Sequence, residues 1–471
     1  MSGTDAPAAA WLASGAASLT GLPAGPGLVP PPPLLARIAH LGAVAGIDPW
    51  AALTERAAVA GLRRAGQVSC GGGTRLLPAE DGWVAVSLVR PEDVDAVPAW
   101  LELDDASLVS LVAAAGGGPA GGGPAHGDPA GGGPADPGAG RPGRASGAEA
   151  LWPRVAAVVA ERPVRGLVER ATLLGLPVAA VGEAAGPVTP VDPGGGDARG
   201  AVRGSHELPG RWTSLGPAAL PVADADAPPL VVDLSSLWAG PLCARTLAGD
   251  GAVVVKVEAT DRPDGARRGP ALFYDRLHAG HRAVALDVAT GEGRRALLDL
   301  VRAAEVVIEA SRPRALAQLG IEPAALGPTG PRAWVSITGH GREGGAATRV
   351  GFGDDAAAAG GLVAPTTLGP AFVADAVADP LTGLVAAVAA RAGVARGGRW
   401  LVDVPLATVA AWVAAHPDDD AADEVAATEW RAVADPPTPG PVGPAPARAP
   451  AVGADTAVVL AAVRDGTRLA R

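Results

Sequence analysis

Residues 231–258 read VVDLSSLWAGPLCARTLAGDGAVVVKVE, and this stretch decides the fold class. The apolar run Leu230 to Val232 ends in Asp233, Leu234 and Ser235. Gly240-Pro241 then supplies a turn, with Pro241 where a first helical residue tolerates it, and Gly249-Asp250-Gly251 closes the helix before the apolar run Val253 to Val257. Strand, tight turn, short helix and second strand follow with almost nothing between them. That is the opening of an α/β domain of the kind that binds nucleotide cofactors.

Downstream, strand candidates at Arg282 to Leu286, Glu305 to Ile308 and Ala333 to Ile337 alternate with helices at Gly291 to Ala303 and Pro313 to Leu319. An alanine helix from Pro380 to Val394 and a strand from Trp400 to Val404 continue the pattern. Such alternation predicts a Rossmann-like, mostly parallel sheet covered on both faces. Upstream, helical patterns precede GGGTRLLPAEDGWVAVSL, where Val84, Val86 and Leu88 alternate after the Asp81-Gly82 turn. This predicts a smaller α+β region over 1–112 and 148–184. The tract 113–147 repeats PAGGGPA and reads as a disordered linker, because glycine and proline at that density cannot offset their ordering entropy. Residues 185–229 read as a second connection, 230–415 as the large domain and 416–471 as a tail with a last helix near Asp455 to Val463.

The chain has 471 residues, a net charge of −11 and a single lysine, Lys256. No basic stripe exists to neutralise phosphates, which argues against nucleic acid as a partner. The two cysteines, Cys70 and Cys243, form no disulfide framework and no zinc spacing, so a reducing cytoplasm is expected and no metal. No basic leader or uninterrupted apolar span argues for a membrane. Gly339-His340-Gly341-Arg342-Glu343-Gly344 satisfies GxGxxG after a strand, but GAATRVGFG follows in place of an amphipathic helix, which argues against a dinucleotide site.

The ordered set DLSSLWAGPLCARTLAGDGAVVVKVEATDRPDGARR, LHAGHRAVALDVATGEGRRALLDLVRAAEVVIEASRP, VSITGHGREG and VADPLTGLVAAVAARAG resembles the large domain of family III CoA transferases. That family includes the formyl-CoA and carnitine CoA-transferases and the α-methylacyl-CoA racemases. The resemblance covers about Leu230 to Val409. It implies an enzyme that moves CoA between an acyl-CoA and a carboxylic acid, with acyl-CoA as substrate, no permanently bound cofactor, and a homodimer. The order of parts departs from the family, because segments that look like its small domain come first. Trp11 to Gly21 and Ala356 to Val363 both echo the helix that normally precedes the nucleophile. The chain resembles the second half of one copy followed by the first half of another.

The resemblance implies Asp379, in Ala-Asp-Pro-Leu-Thr-Gly, as the nucleophile, with Asp375 as its main rival and Asp354 as a further alternative. Read on its own, Asp379 is also an N-cap ahead of Pro380, and the two roles are compatible. Coenzyme A contacts fall by position on Trp238, Ala239, His278, His281, Ala310, Ser311 and Arg312, with Arg262, Arg267 or Arg268 standing in for the family arginine replaced by Ala259. His278 and His281 replace Asn-x-x-Lys, and Ala310 to Arg312 replace Asn-Phe-x. Those departures leave a second expectation open, a member that binds acyl-CoA or a partner chain without turnover. Gly71, Gly72 and Gly73 match the family's mobile substrate loop, or form a plain turn. The racemase branch needs a histidine where Phe352 stands, so a racemase lacks one of its two bases.

Overall fold

A computed structural model describes residues 5–103, 145–185, 208–218, 228–415 and 429–469. Its largest sheet has seven strands in the spatial order Arg211–Ser214, Trp400–Pro405, Ala333–Thr338, Val306–Glu309, Leu230–Asp233, Val253–Ala259 and Arg282–Leu286. Every pairing is parallel except that of the edge strand Arg211–Ser214 against Trp400–Pro405. The chain enters at Leu230–Asp233 in the middle, winds outward through two strands, and returns to Val306–Glu309 on the other side. Strand order therefore reverses between these two neighbours, and a crevice opens at their carboxyl ends.

Both faces are covered, as the sequence predicts. Neighbouring residues on a strand point to opposite sides, so Val231, Val254 and Val335 join one core while Val232, Val255 and Val307 join another. The first core holds the helices Ala239–Gly249 and Ala378–Ala395, and the second holds Leu297, Leu300 and Val301 of the helix Gly291–Ala303. The helix Ala378–Ala395 is long and apolar enough to cross a membrane, yet most of it is buried inside the protein. It is the central core helix, and residues of the helices Pro32–Ala45 and Pro49–Ala60 close over it.

In the N-terminal region the strands Thr74–Ala79, Gly82–Ser87 and Val178–Ala180 form an antiparallel sheet. One face packs Val84 and Val86 against Trp100, Trp152 and Val155, while Leu76 and Ala85 on the other meet Ala358 and Phe372. The small sheet thus rests on the helix Gly353–Ala359.

Four boundaries differ from the sequence reading. The Gly/Pro tract lies outside the described residues except for its last three, which open the helix Ala145–Val159, because alanine, glutamate and leucine resume there. The connection before residue 230 contains the edge strand Arg211–Ser214, whose Trp212 packs edge-on against Trp400 at 6.1 Å. The tail is docked: Arg431–Val433 pairs with Gly27–Val29, and Asp455 accepts the Ala283 N–H at 2.9 Å ahead of the helix Thr456–Arg464. Asp379 is not a helix cap, for the reason that follows.

Candidate active site

Beyond the strand Gly369–Phe372 the chain makes a tight turn in which Ala374 and Ala376 have φ of 51° and 43°. Alanine in this left-handed region costs about 1–2 kcal/mol each, so the turn needs outside support. Support comes from all sides. The Ala374 N–H donates to Thr20 Oγ1 at 3.0 Å, and Cys70 Sγ donates to the Ala374 carbonyl at 3.2 Å. Arg56 grips Asp375 with both arms of its guanidinium, Nε to Oδ2 at 2.7 Å and Nη2 to Oδ1. The Ala376 N–H donates to Asp354 Oδ1 at 3.1 Å.

The Ala376 carbonyl then accepts the Asp379 N–H at 2.8 Å. This bond starts the helix at Ala378, with Val377 as an N-cap that makes no side-chain bond. The N-cap reading of Asp379 is therefore corrected, because the tight turn draws it into the first helical turn. Its carboxylate lies against the bare Cα of Gly353, where a Cβ would stand 2.6 Å from Asp379 Oδ2 and 2.5 Å from the Ala376 carbonyl.

Asp354, Asp375 and Asp379 converge here on the Arg56 guanidinium, and Asp355 adjoins them. Asp355 and Asp375 are fully enclosed, whereas Asp354 and Asp379 keep some exposed surface. Removal from water pushes Asp379 up to about 7; Arg56 opposes the shift while Asp354, Asp355 and Asp375 add to it. Burial likewise raises Asp355 to about 7, against hydrogen bonds from Ser87 Oγ at 2.7 Å and the Phe352 N–H at 3.1 Å. Asp354 is raised to about 6 by burial and by Asp375. Burial and then Asp375 push the Cys70 thiol far up, so it stays protonated and is no thiolate nucleophile. Asp375 is spent on its ion pair with Arg56. Asp379, by contrast, keeps some exposed surface.

Of the positions expected to meet coenzyme A, two reach this site. Trp238 lies under Arg56, whose guanidinium carbon is 5.2 Å from the ring centre. Gly383, one turn after Asp379, presses on Ala239, since a Cβ there would stand 2.7 Å from the Ala239 carbonyl. The Gly71–Gly73 loop adjoins it as well, with the Cβ position of Gly71 3.4 Å from Arg56 Nη2. Lys256 fixes the approach to Trp238: its ammonium is buried 3.0 Å from Asp264 Oδ2, and Asp264 Oδ1 accepts the Leu237 N–H at 3.0 Å.

Ala310, Ser311 and Arg312 flank the same crevice at the end of Val306–Glu309, where Ser311 Oγ donates to Glu309 Oε2 at 2.8 Å. Arg267 is paired with Glu258, Nε to Oε1 at 2.9 Å, and Arg262 is exposed. His278 and His281 lie elsewhere. Both are buried, with ring centres 5.5 Å apart, and His281 lines a cavity of about 500 Å³ with Arg245, Arg276 and Arg282 at the amino ends of Val253–Ala259 and Arg282–Leu286. Burial holds His281 down near 4, so it is neutral there. Sequence reasoning missed Arg56, Asp355 and Thr20. The Asp354-Asp355 doublet is a visible signal, whereas Arg56 in TERAA looks like any helix-surface cation.

Residues 229–429 match the model of CoA-transferase family III. The resemblance read from the sequence is thus matched by a family model over this segment. An acyl-CoA transferase of Fusarium pseudograminearum is 33% identical over 149 residues, 28% of this chain and 33% of that protein. The succinyl-CoA–D-citramalate CoA-transferase of Chloroflexus aurantiacus is 29% identical over 190 residues, 37% of this chain and 47% of its own. A solved CaiB/BaiF family protein from Brucella suis is similar at 30% identity with a TM-score of 0.38, covering 41% of this chain and 55% of that one. The chain thus spans a third to a half of the length of these two curated relatives. Arg56, Cys70 and the Gly71–Gly73 loop lie outside the family-matched segment.

Proposed function

We propose that this protein is a CoA transferase in which Asp379 is the covalent nucleophile. The observation that carries the reading is the placement of Asp379 inside the family-matched segment. It is the partly exposed, unclaimed carboxylate of the acid cluster, beside Trp238 and Ala239 at the start of the helix Ala239–Gly249. In the mechanism implied by the resemblance, an Asp379 oxygen attacks the thioester carbonyl of the donor, the C–S bond breaks and CoA leaves as thiolate. The thiolate then attacks the aspartyl carbonyl of the mixed anhydride, releasing the donor acid and leaving an aspartyl-CoA thioester. The acceptor carboxylate opens that thioester to a new anhydride, and returning thiolate takes the acyl group and restores Asp379. Covalent catalysis divides one difficult exchange into steps of lower barrier.

The environment suits a carboxylate that must be a nucleophile and later a leaving group. Asp379 sits in the first turn of an 18-residue helix, whose dipole favours its ionised form. The Gly71–Gly73 loop lies beside Arg56 at Gly71, and Gly72 has φ 79°. In our reading this loop covers the anhydride and keeps water out. Phe352 gives no second base for α-proton exchange, which favours transfer over racemisation.

The test is transfer of label from succinyl-CoA and formyl-CoA to a panel of free carboxylic acids, with hydroxylamine added after donor alone. Label on Asp379, found by peptide mass, is the expected result. Transfer without any hydroxylamine-sensitive aspartate, or label on Asp354 or Asp375, would remove Asp379 from the role.

A further inference from the structure

The seven-stranded sheet is built from residues 211–405, yet much of what shapes the Asp379 turn comes from the first ninety residues. Thr20, Arg56 and Cys70 hold the two residues Ala374 and Asp375, and Ser87 holds Asp355. They come from three separate N-terminal elements: the 3-10 turn Ala16–Leu19 and its cap, the helix Pro49–Ala60, and the hairpin with its preceding loop. We propose that the N-terminal region is a built-in clamp on the reactive turn, with Arg56 as the positioning residue that fixes both the geometry and the charge of Asp379. This rests on the reading of Asp379 as the reacting carboxylate.

The argument is one of forced geometry. Left-handed backbone at two alanines relaxes unless the groups between them are held, and Asp375 lies between Ala374 and Ala376. A planar guanidinium binding a carboxylate with two parallel bonds fixes both position and orientation, which a point charge does not. Turning Asp375 would move Ala376, whose carbonyl starts the helix carrying Asp379. Arg56 is also the cation facing Asp379. The other groups around it are Asp354 and Asp355 of the helix Gly353–Ala359 and Asp375 of the turn. Arg56 therefore keeps Asp379 ionisable among three carboxyl neighbours, and the reactive site is completed within one chain by a region outside the family-matched segment.

The experiment compares kcat from pH 5.5 to 9 for the full-length wild type, Arg56→Gln and Arg56→Lys, alongside a carbon-13 titration of aspartate carboxyls assigned with Asp379→Asn. Arg56→Gln is expected to move the acid limb and the Asp379 titration up by about one unit, a roughly tenfold extra loss at pH 6. Arg56→Lys is expected to bring the limb back near wild type while kcat stays at least about tenfold down, because charge returns without the fork. An unmoved titration in folded Arg56→Gln overturns the proposal. Wild-type kcat in Arg56→Lys overturns it as well, and this second variant decides the matter if Arg56→Gln does not fold. Should the wild type transfer no CoA, the functional reading fails while the titration still decides whether Arg56 governs Asp379.

Discussion

Two buried charge clusters lie near the carboxyl ends of the same sheet, and they are balanced differently. Around Lys256, the carboxylates of Asp233 and Asp264 share one ammonium while Glu258 holds Arg267, so three acids face two cations. Around Asp379, the carboxyl groups of Asp354, Asp355 and Asp375 add to its rise, and among the described residues Arg56 is the cation that opposes it. A nearly matched cluster fixes backbone, here the Leu237–Trp238 approach. A mismatched one leaves carboxyl groups that titrate near neutrality, as the carboxyl groups of reactive sites often do. The two candidates in the sequence also differ within this cluster: Asp375 is fully enclosed and paired with Arg56, whereas Asp379 keeps some exposed surface.

The largest effect expected from this contrast is chemical. Asp379→Asn preserves size but cannot form an anhydride, so CoA transfer should fall by at least about a thousandfold while the melting temperature holds or rises. Retained transfer would place the chemistry on another group. Next in size is the strut. Lys256→Met strands Asp233 and Asp264 without their cation, at a cost on the order of 3–5 kcal/mol in urea unfolding. A change below about 1 kcal/mol would mean that this network, too, is mismatched.

A smaller but sharper effect is expected at Gly353. A methyl group there collides with Asp379 Oδ2 and the Ala376 carbonyl, both under 3 Å away. Gly353→Ala should lower kcat about a hundredfold through misplacement of the carboxylate, with CoA binding little changed. Equal losses in kcat and binding would instead point to collapse of the whole turn. In the wild type, a rate that depends on ionised Asp379 should rise with pH through about 7, where its carboxyl titrates. A flat profile between pH 6 and 8 would mean that Asp379 ionises well below neutrality.

The sheet was legible because its code is local. Leu230 to Val257 carries its strand, turn and helix signals within a few residues, and the alternation after it fixes a parallel sheet. Asp379 was singled out through a short motif that resembles a family's. Arg56 was not, because its role depends on a partner 319 residues away, and nothing in an amphipathic helix marks which cation will be buried. The misplaced N-cap has the same origin: Asp-Pro is a sound helix-start signal, but the left-handed Ala374 and Ala376 that shift the start are imposed by Thr20, Cys70 and Arg56 from outside. The edge strand Arg211–Ser214 was missed because four residues among glycine and proline show no period.

The mismatch also predicts how stability follows pH, and Asp355 isolates the effect because it is fully enclosed and its Oδ2 has no hydrogen-bond partner. Its folded value, about 7, lies above the roughly 4 of an unfolded aspartate. Between these values the folded protein binds more protons than the unfolded chain, so this contribution is fully present below about pH 4 and is lost as pH rises through about 7. Asp355→Asn removes the charge that must be accommodated at high pH and keeps an oxygen for Ser87. It should therefore be more stable than the wild type at pH 8, by up to about 3 kcal/mol, and gain nothing at pH 4. Chemical denaturation of both proteins at the two pH values measures this. A gain of the same size at both would trace the effect to packing, and a loss at pH 8 would mean that the cluster needs the Asp355 charge after all, making the two buried networks alike.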